Sequence, residues 1–340
     1  MARSDLLINL VKAGASGDRH LMHRTVEAII AEERGKQHNV LAERLERAIT
    51  SANGNGSAKM SLTQFQDTHS KGKSFITETI PRRSVNELIL PELTKRATAQ
   101  LIEEQQRASV LRSHSLEPRH KVLLSGPPGN GKTSLAEAIA EALAVPFFTV
   151  RYESIIGSFL GETAGRLKQV FDYARTTPCV LFFDEFDAVG KERGDKHETG
   201  EIKRVVTSLL MQIDELPSYV VAIAATNHAE LLDRAVWRRF EMRLSLPAPD
   251  TKKLASYVTF LSERATVDLG ARPQVIAKAL GRASYAEAEQ FFLELARWQV
   301  LAMGERTPAD IAKEQLTIWA TRANSSNAKR TRKRARASTP

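Results

Sequence analysis

The chain has 340 residues, 26% charged and 42% apolar, an ordinary folded composition with length for roughly two domains. Its single cysteine, Cys179, excludes an internal disulfide and any multi-cysteine metal site. No apolar run reaches bilayer length, which excludes a membrane span and makes a cytoplasmic location the expectation. The formal charge of +9 is unevenly placed, since six of the eight residues from Lys329 to Arg336 are basic, leaving +3 for the rest.

Leu6, Leu7, Leu10 and Val11 recur at helical spacing after Ser4, a fitting N-cap. Lys12, Asp18 and Arg19 interrupt this stretch too soon for a signal peptide. A second helix is predicted over Leu21, Met22, Val26, Ile29 and Ile30, and a third over Val40, Leu41, Leu45 and Ile49. Three short helices bury little area alone, so residues 1–50 read as a module that packs on itself, a neighbouring subunit or a partner. The scattered His20, His23 and His38 read as surface groups.

Residues 51–74, opening on the Gly- and Asn-containing Ser51 to Ala58, read as a flexible linker. Ile80-Pro81 and Leu90-Pro91 then punctuate the approach to a long polar helix from about Glu92 to His114. From Lys121 the pattern becomes strand, loop, helix, repeated. Strands are predicted at Lys121 to Leu124, Pro146 to Val150, Cys179 to Phe183, Val220 to Ala225 and Met242 to Leu246. Such alternation implies a parallel sheet with helices on both faces, and ligands at the carboxyl ends of its strands. After Asp250 only helices are predicted, over Lys252 to Arg264, Pro273 to Leu280, Tyr285 to Met303 and Pro308 to Ala320. Residues 322–340 lack apolar periodicity and read as a disordered basic tail.

The motifs fall at the strand ends. Gly126-Pro127-Pro128-Gly129-Asn130-Gly131-Lys132-Thr133-Ser134 lies between a strand and a helix and reads as a phosphate-binding loop. Its glycines let backbone N–H groups point at phosphates, and the helix adds its positive end. Lys132 is expected to reach the outer phosphates and Thr133 to hold Mg²⁺. The strand Val180 to Phe183 ends in Asp184, a candidate for the Mg²⁺ shell, and Glu185, a candidate base for an attacking water. Asp187 reads as a first-turn helix acid. A further strand ends in Thr226-Asn227, where an amide can bond both a terminal phosphate and the water. Arg238 and Arg239 follow; such a pair is usually a solvated face, but presented to a neighbour's nucleotide it would stabilise transition-state charge.

On these residues the segment from about Phe75 to Ala296 resembles the AAA ATPases, ring-forming P-loop enzymes that remodel proteins. It is most similar to the branch with one ATPase domain per chain that includes the microtubule-severing enzymes. Gly126 to Thr133 matches the phosphate loop, with Asn130 where the family more often has Thr. Asp184 and Glu185 match the Mg²⁺-binding and water-activating acids, Asn227 the phosphate sensor, and Arg238 with Arg239 the arginine fingers. Ser284-Tyr285-Ala286-Glu287 is similar to the family's Ser-Gly-Ala-Asp at the start of a lid helix, with Tyr285 replacing a small residue. Phe159 matches the aromatic of a substrate-gripping pore loop, with Ser158 where lysine is frequent. Lys191 to Glu198 resembles the second pore loop, and Arg204 a subunit-interface arginine.

The fold class expected is α/β, a P-loop NTPase parallel sheet over 75–248, followed by a small all-helical lid subdomain over 249–321. A short helical N-terminal module precedes it. The resemblance implies ATP and Mg²⁺ as cofactors, a hexameric homo-oligomer, and a protein substrate moved through a central pore. Some members deliver clients to a separate protease, and no docking sequence here decides that. A second reading is a nucleic-acid-associated ATPase, with Lys329 to Arg336 bound to phosphates by counterion release. That tail would equally suit an acidic protein partner or remain solvated.

Overall fold

The structure, a computed structural model, describes residues 25–30, 73–151, 155, 160–187 and 199–337. Residues 1–70 and 71–340 form two separate units. In the first, residues 25–30 are helical, within the second predicted helix. The other two N-terminal helices, most of the linker, Phe159 and the 191–198 loop lie outside the described residues.

The second unit is built on a six-stranded sheet: β1 (Ile76–Thr79), β2 (Lys121–Ser125), β3 (Phe147–Val150), β4 (Cys179–Phe183), β5 (Val220–Thr226) and β6 (Met242–Ser245). Its spatial order is β1-β3-β4-β5-β2-β6. All neighbours run parallel except β1, which pairs antiparallel with β3 from Ile76 opposite Val150 to Thr79 opposite Phe147. Every residue of β4 and β5 is buried, as expected of central parallel strands covered on both faces. The two faces separate by alternation. Leu123, Leu181, Phe183, Ala222 and Ala224 enter one core, while Val122, Leu124, Val180, Phe182, Val221 and Ile223 enter the other.

The helices α1 (Glu92–Gln106), α2 (Ala108–Ser113), α3 (Lys132–Ala142), α4 (Leu160–Ala174), α5 (Thr199–Asp214) and α6 (Arg234–Arg239) accompany the sheet. Leu135, Ala136, Ile139 and Ala140 of α3 pack on one face; Leu167, Val170 and Phe171 of α4, with Leu209 and Ile213 of α5, pack on the other. A separate core joins α7 (Thr251–Ala265), α8 (Pro273–Leu280), α9 (Tyr285–Leu301) and the first turns of α10 (Pro308–Ala337). Ser284 opens α9 with a full capping box to Glu287.

Three expectations need correction. The sheet is mixed, because an unexpected edge strand β1 pairs antiparallel with β3; β1 buries only Ile76 and so carries almost no apolar signal. The polar helix from Glu92 is broken at Arg107, beside the point where Gln105 Nε2 donates to the carbonyls of Arg119 (2.7 Å) and Ser218 (3.0 Å) and pins the helix end. Finally, α10 continues to Ala337 instead of ending near residue 320. Its Ala, Lys and Arg residues have high helix propensity even without an apolar stripe.

Candidate functional site

The phosphate loop joins β2 to α3. Gly126 has φ 148°, and a Cβ there would lie 2.1 Å from the Leu246 carbonyl oxygen. Gly129 has φ 75°, and a Cβ there would lie 2.8 Å from Ser284 Oγ. Both positions therefore demand glycine, the first for the sheet and the second for the approach of α9. Asn130 is buried, and its Nδ2 donates to the Pro127 carbonyl (3.3 Å), bracing the loop from inside.

Lys132 is 7% exposed. Its Nζ donates to the carbonyls of Gly126 (2.7 Å) and Pro127 (3.0 Å) and to Asn227 Oδ1 (2.7 Å). Burial holds its ammonium below the ordinary lysine value, and Asp184 and Asp187 act in the opposite direction. Three oxygen partners thus surround a cation at the N-terminus of α3, where an anion is favoured by both charge and dipole.

Thr133 Oγ1 donates to Asp184 Oδ2 at 3.4 Å. A hydroxyl and a carboxylate are hard oxygen donors of the kind Mg²⁺ takes together with phosphate oxygens and water, so the pair fits that ion. Glu185 follows with φ 48°, a left-handed conformation rare for a side-chain-bearing residue, and its side chain is exposed. The turn is fixed on both sides: Glu185 N–H donates to Asp184 Oδ1 (2.9 Å) and Phe186 N–H to the Ala225 carbonyl (2.8 Å).

Asp187 does more than open a helix. Its Oδ1 accepts the Thr226 hydroxyl (2.8 Å) and the Asn227 N–H (3.3 Å), while Thr226 Oγ1 accepts the His228 N–H (3.0 Å). The end of β5 that presents Asn227 is therefore moored to the turn that presents Glu185.

These residues line a cleft of about 340 Å³. Their companions in its lining are Pro128 to Ser134, the apolar and aromatic Leu88, Ile89, Leu90, Tyr257, Phe260 and Tyr285, and the charged Arg83, Glu87, Arg264 and Glu289. The wall outside the phosphate loop is the part that the motifs do not reveal. Its members lie up to about 200 positions apart and carry no shared pattern; only the likeness of Ser284 to Glu287 to the start of a lid helix, with Tyr285 as its departure, pointed towards it. Burial pushes the phenols of Tyr257 and Tyr285 up to about 12, and the Ala286 N–H donates to the Gly129 carbonyl (3.0 Å), tying lid to loop.

Arg238 and Arg239 are exposed on α6 and do not line this cleft. Arg239 is paired with Asp214 at the end of α5 (2.5 Å). Arg238 has no ion-pair or hydrogen-bond partner among the described residues. Cys179 is buried in β4 with its thiol pushed up to about 12 by desolvation, the state of an inert core residue. Among the described residues no group of three or more His, Cys, Asp or Glu could hold a metal by itself, and no helix is long and apolar enough to cross a membrane.

Comparison with known proteins agrees with this geometry. The family described as "ATPase family associated with various cellular activities (AAA)" matches residues 122–248. An uncharacterized AAA family ATPase, y4kL, of Sinorhizobium fredii is 37% identical over 292 residues, covering 85% of this chain and 87% of that protein. A putative 26S proteasome regulatory subunit homolog of Methanothermobacter thermautotrophicus is 39% identical over 139 residues, 40% of this chain and 37% of its own length. The chloroplastic ATP-dependent zinc metalloprotease FTSH 8 of Arabidopsis thaliana is 39% identical over 163 residues, 46% of this chain and 24% of its own length. The last two matches span well under half of those proteins, and together the relatives do not single out the severing branch.

Proposed function

This chain belongs to the AAA family of ATPases and hydrolyses ATP, and from that premise we propose that it works as a hexameric ring that remodels a protein substrate through a central pore. The observation that carries the ring is the position of the arginines. Lys132, Asp184, Glu185 and Asn227 converge in one cleft, while Arg238 stands outside its lining without a partner among the described residues. An arginine so presented fits the nucleotide of a neighbouring copy, where it would stabilise charge on the transferring phosphoryl group.

Within one site, Lys132 would exchange its Gly126, Pro127 and Asn227 partners for phosphate oxygens, which frees the Asn227 amide to orient the attacking water. Glu185 would accept that water's proton. Thr133 and Asp184 would hold Mg²⁺, which supplies charge neutralisation at the outer phosphates. The names of two relatives, a proteasome regulatory subunit homolog and an ATP-dependent metalloprotease, support a protein substrate. In this reading Phe159 grips the substrate, residues 1–50 select it, and a partner protease is an optional addition.

A second reading has one observation in its favour. The basic stretch from Lys329 to Arg336 lies on α10, and its six cations would neutralise nucleic-acid phosphates. One experiment separates the two: light scattering and ATPase rate for the full chain and for Glu185→Gln, with ATP, with and without duplex DNA, at two salt concentrations. The remodeller reading predicts an ATP-dependent hexamer that persists in Glu185→Gln while hydrolysis falls by about 100-fold or more, with no response to DNA. A monomer in ATP contradicts the ring. Hydrolysis stimulated by DNA and lost at high salt replaces remodelling with the second reading.

A further inference from the structure

Tyr285 is the first residue of α9, where the family resemblance leads one to expect a small side chain. Its hydroxyl donates to the Ile89 carbonyl across 3.2 Å. Ile89 lines the same cleft as Lys132, between Leu88 and Leu90. A backbone carbonyl in the wall of such a cleft is an acceptor that the exocyclic amino group of a nucleobase can use. Here a donor from the chain itself already occupies it.

The donor is held in place by packing. The Tyr285 ring meets Tyr257 edge to face, with centroids 5.0 Å apart at 77°, and Tyr257 in turn stacks near Phe260 at 6.4 Å. The adjacent Ala286 N–H bonds the Gly129 carbonyl, so the turn that aims the hydroxyl also touches the phosphate loop. With its phenol pushed up to about 12, Tyr285 keeps its proton throughout the neutral range.

We propose that Tyr285 is a built-in competitor for the nucleobase: its hydroxyl, which holds the Ile89 carbonyl, gives it up to the amino group of adenine. This rests on the reading of the cleft as an ATP site. Exchange of one donor for another leaves the carbonyl paired before and after binding, so the nucleotide gains little from that contact. A side chain without the hydroxyl leaves the carbonyl to water, and the base then gains an ordinary hydrogen bond. That is about 2- to 10-fold in affinity.

The test measures dissociation constants of ATP, ADP and inorganic tripolyphosphate for the full chain and for Tyr285→Phe, which retains the ring and its packing on Tyr257. ATP and ADP are expected to bind about 2- to 10-fold more tightly to the variant, with tripolyphosphate, which reaches only the phosphate loop, unchanged. Adenine nucleotides bound equally or more weakly by Tyr285→Phe overturn the competitor role. So does a tripolyphosphate constant shifted by the same factor, because the substitution would then act on the loop and not on the base. Failure of the underlying reading looks different: ATP binding by the wild-type chain that survives Lys132→Ala unweakened removes the ATP site itself.

Discussion

Asp187 distinguishes what a motif supplies from what a fold adds. Read as part of Asp184-Glu185-Phe186-Asp187, it is one more acid at a helix start. Folded, its Oδ1 accepts both the Thr226 hydroxyl and the Asn227 N–H, joining the strand end that offers Glu185, the proposed base, to the strand end that offers the amide. In the proposed mechanism it is a positioning residue, and its loss is expected to act on turnover more than on binding. Asp187→Ala should lower the ATPase kcat by about 10-fold or more, in line with the cost of misplacing a catalytic group, and change KM little. Asp187→Asn keeps an acceptor oxygen for Thr226 and should recover much of the rate. A steady-state kcat and KM for both variants checks this; equal loss in both, or a loss carried wholly in KM, contradicts a role in holding Asn227.

At the scale of elements, β2 carries the site and its lower end carries a pH liability. His120 is buried just before the strand, and Glu241 Oε2 accepts the N–H of both His120 (2.8 Å) and Lys121 (3.2 Å). Burial pushes the His120 imidazole below its ordinary value, opposed by the Glu241 carboxylate and reinforced by the Lys121 charge. The unfolded chain therefore takes up a proton near pH 6.5 before the folded one does, so stability is full above that pH and declines as pH falls below it. Thermal melting between pH 7.5 and 5 should show the decline, and His120→Gln should flatten part of it; an unchanged profile in the variant assigns the pH dependence to other groups. The legibility of each element follows from its burial. Five strands could be read because β2, β4 and β5 are apolar runs sealed on both faces and β3 and β6 carry enough of the same signal. The edge strand β1 could not, since Thr77, Glu78 and Thr79 are exposed. Likewise Lys132, Asp184, Glu185 and Asn227 were legible because each ends a strand or opens a helix at a recognisable spacing. The Ile89, Tyr257 and Tyr285 wall is assembled by tertiary packing between distant segments, which no local pattern encodes.

For the whole molecule, the two arginines are not equivalent. Arg239 is tied to Asp214 within its own chain, whereas Arg238 is exposed and without a partner among the described residues, so Arg238 is the better placed to reach across an interface. If it completes a neighbour's site, two variants that are each inactive must complement one another. Lys132→Ala removes the phosphate cation but keeps the arginine; Arg238→Ala keeps the nucleotide cleft but lacks the arginine. In a mixed ring, an Arg238→Ala cleft facing a Lys132→Ala neighbour regains every part. The most direct test is therefore the ATPase rate of each variant alone and of an equimolar mixture, under conditions in which subunits exchange. Each alone should be near background, and the mixture should recover a measurable fraction of wild-type rate. A mixture as inactive as its components, or an Arg238→Ala protein as active as wild type, contradicts hydrolysis by a site shared between neighbouring copies.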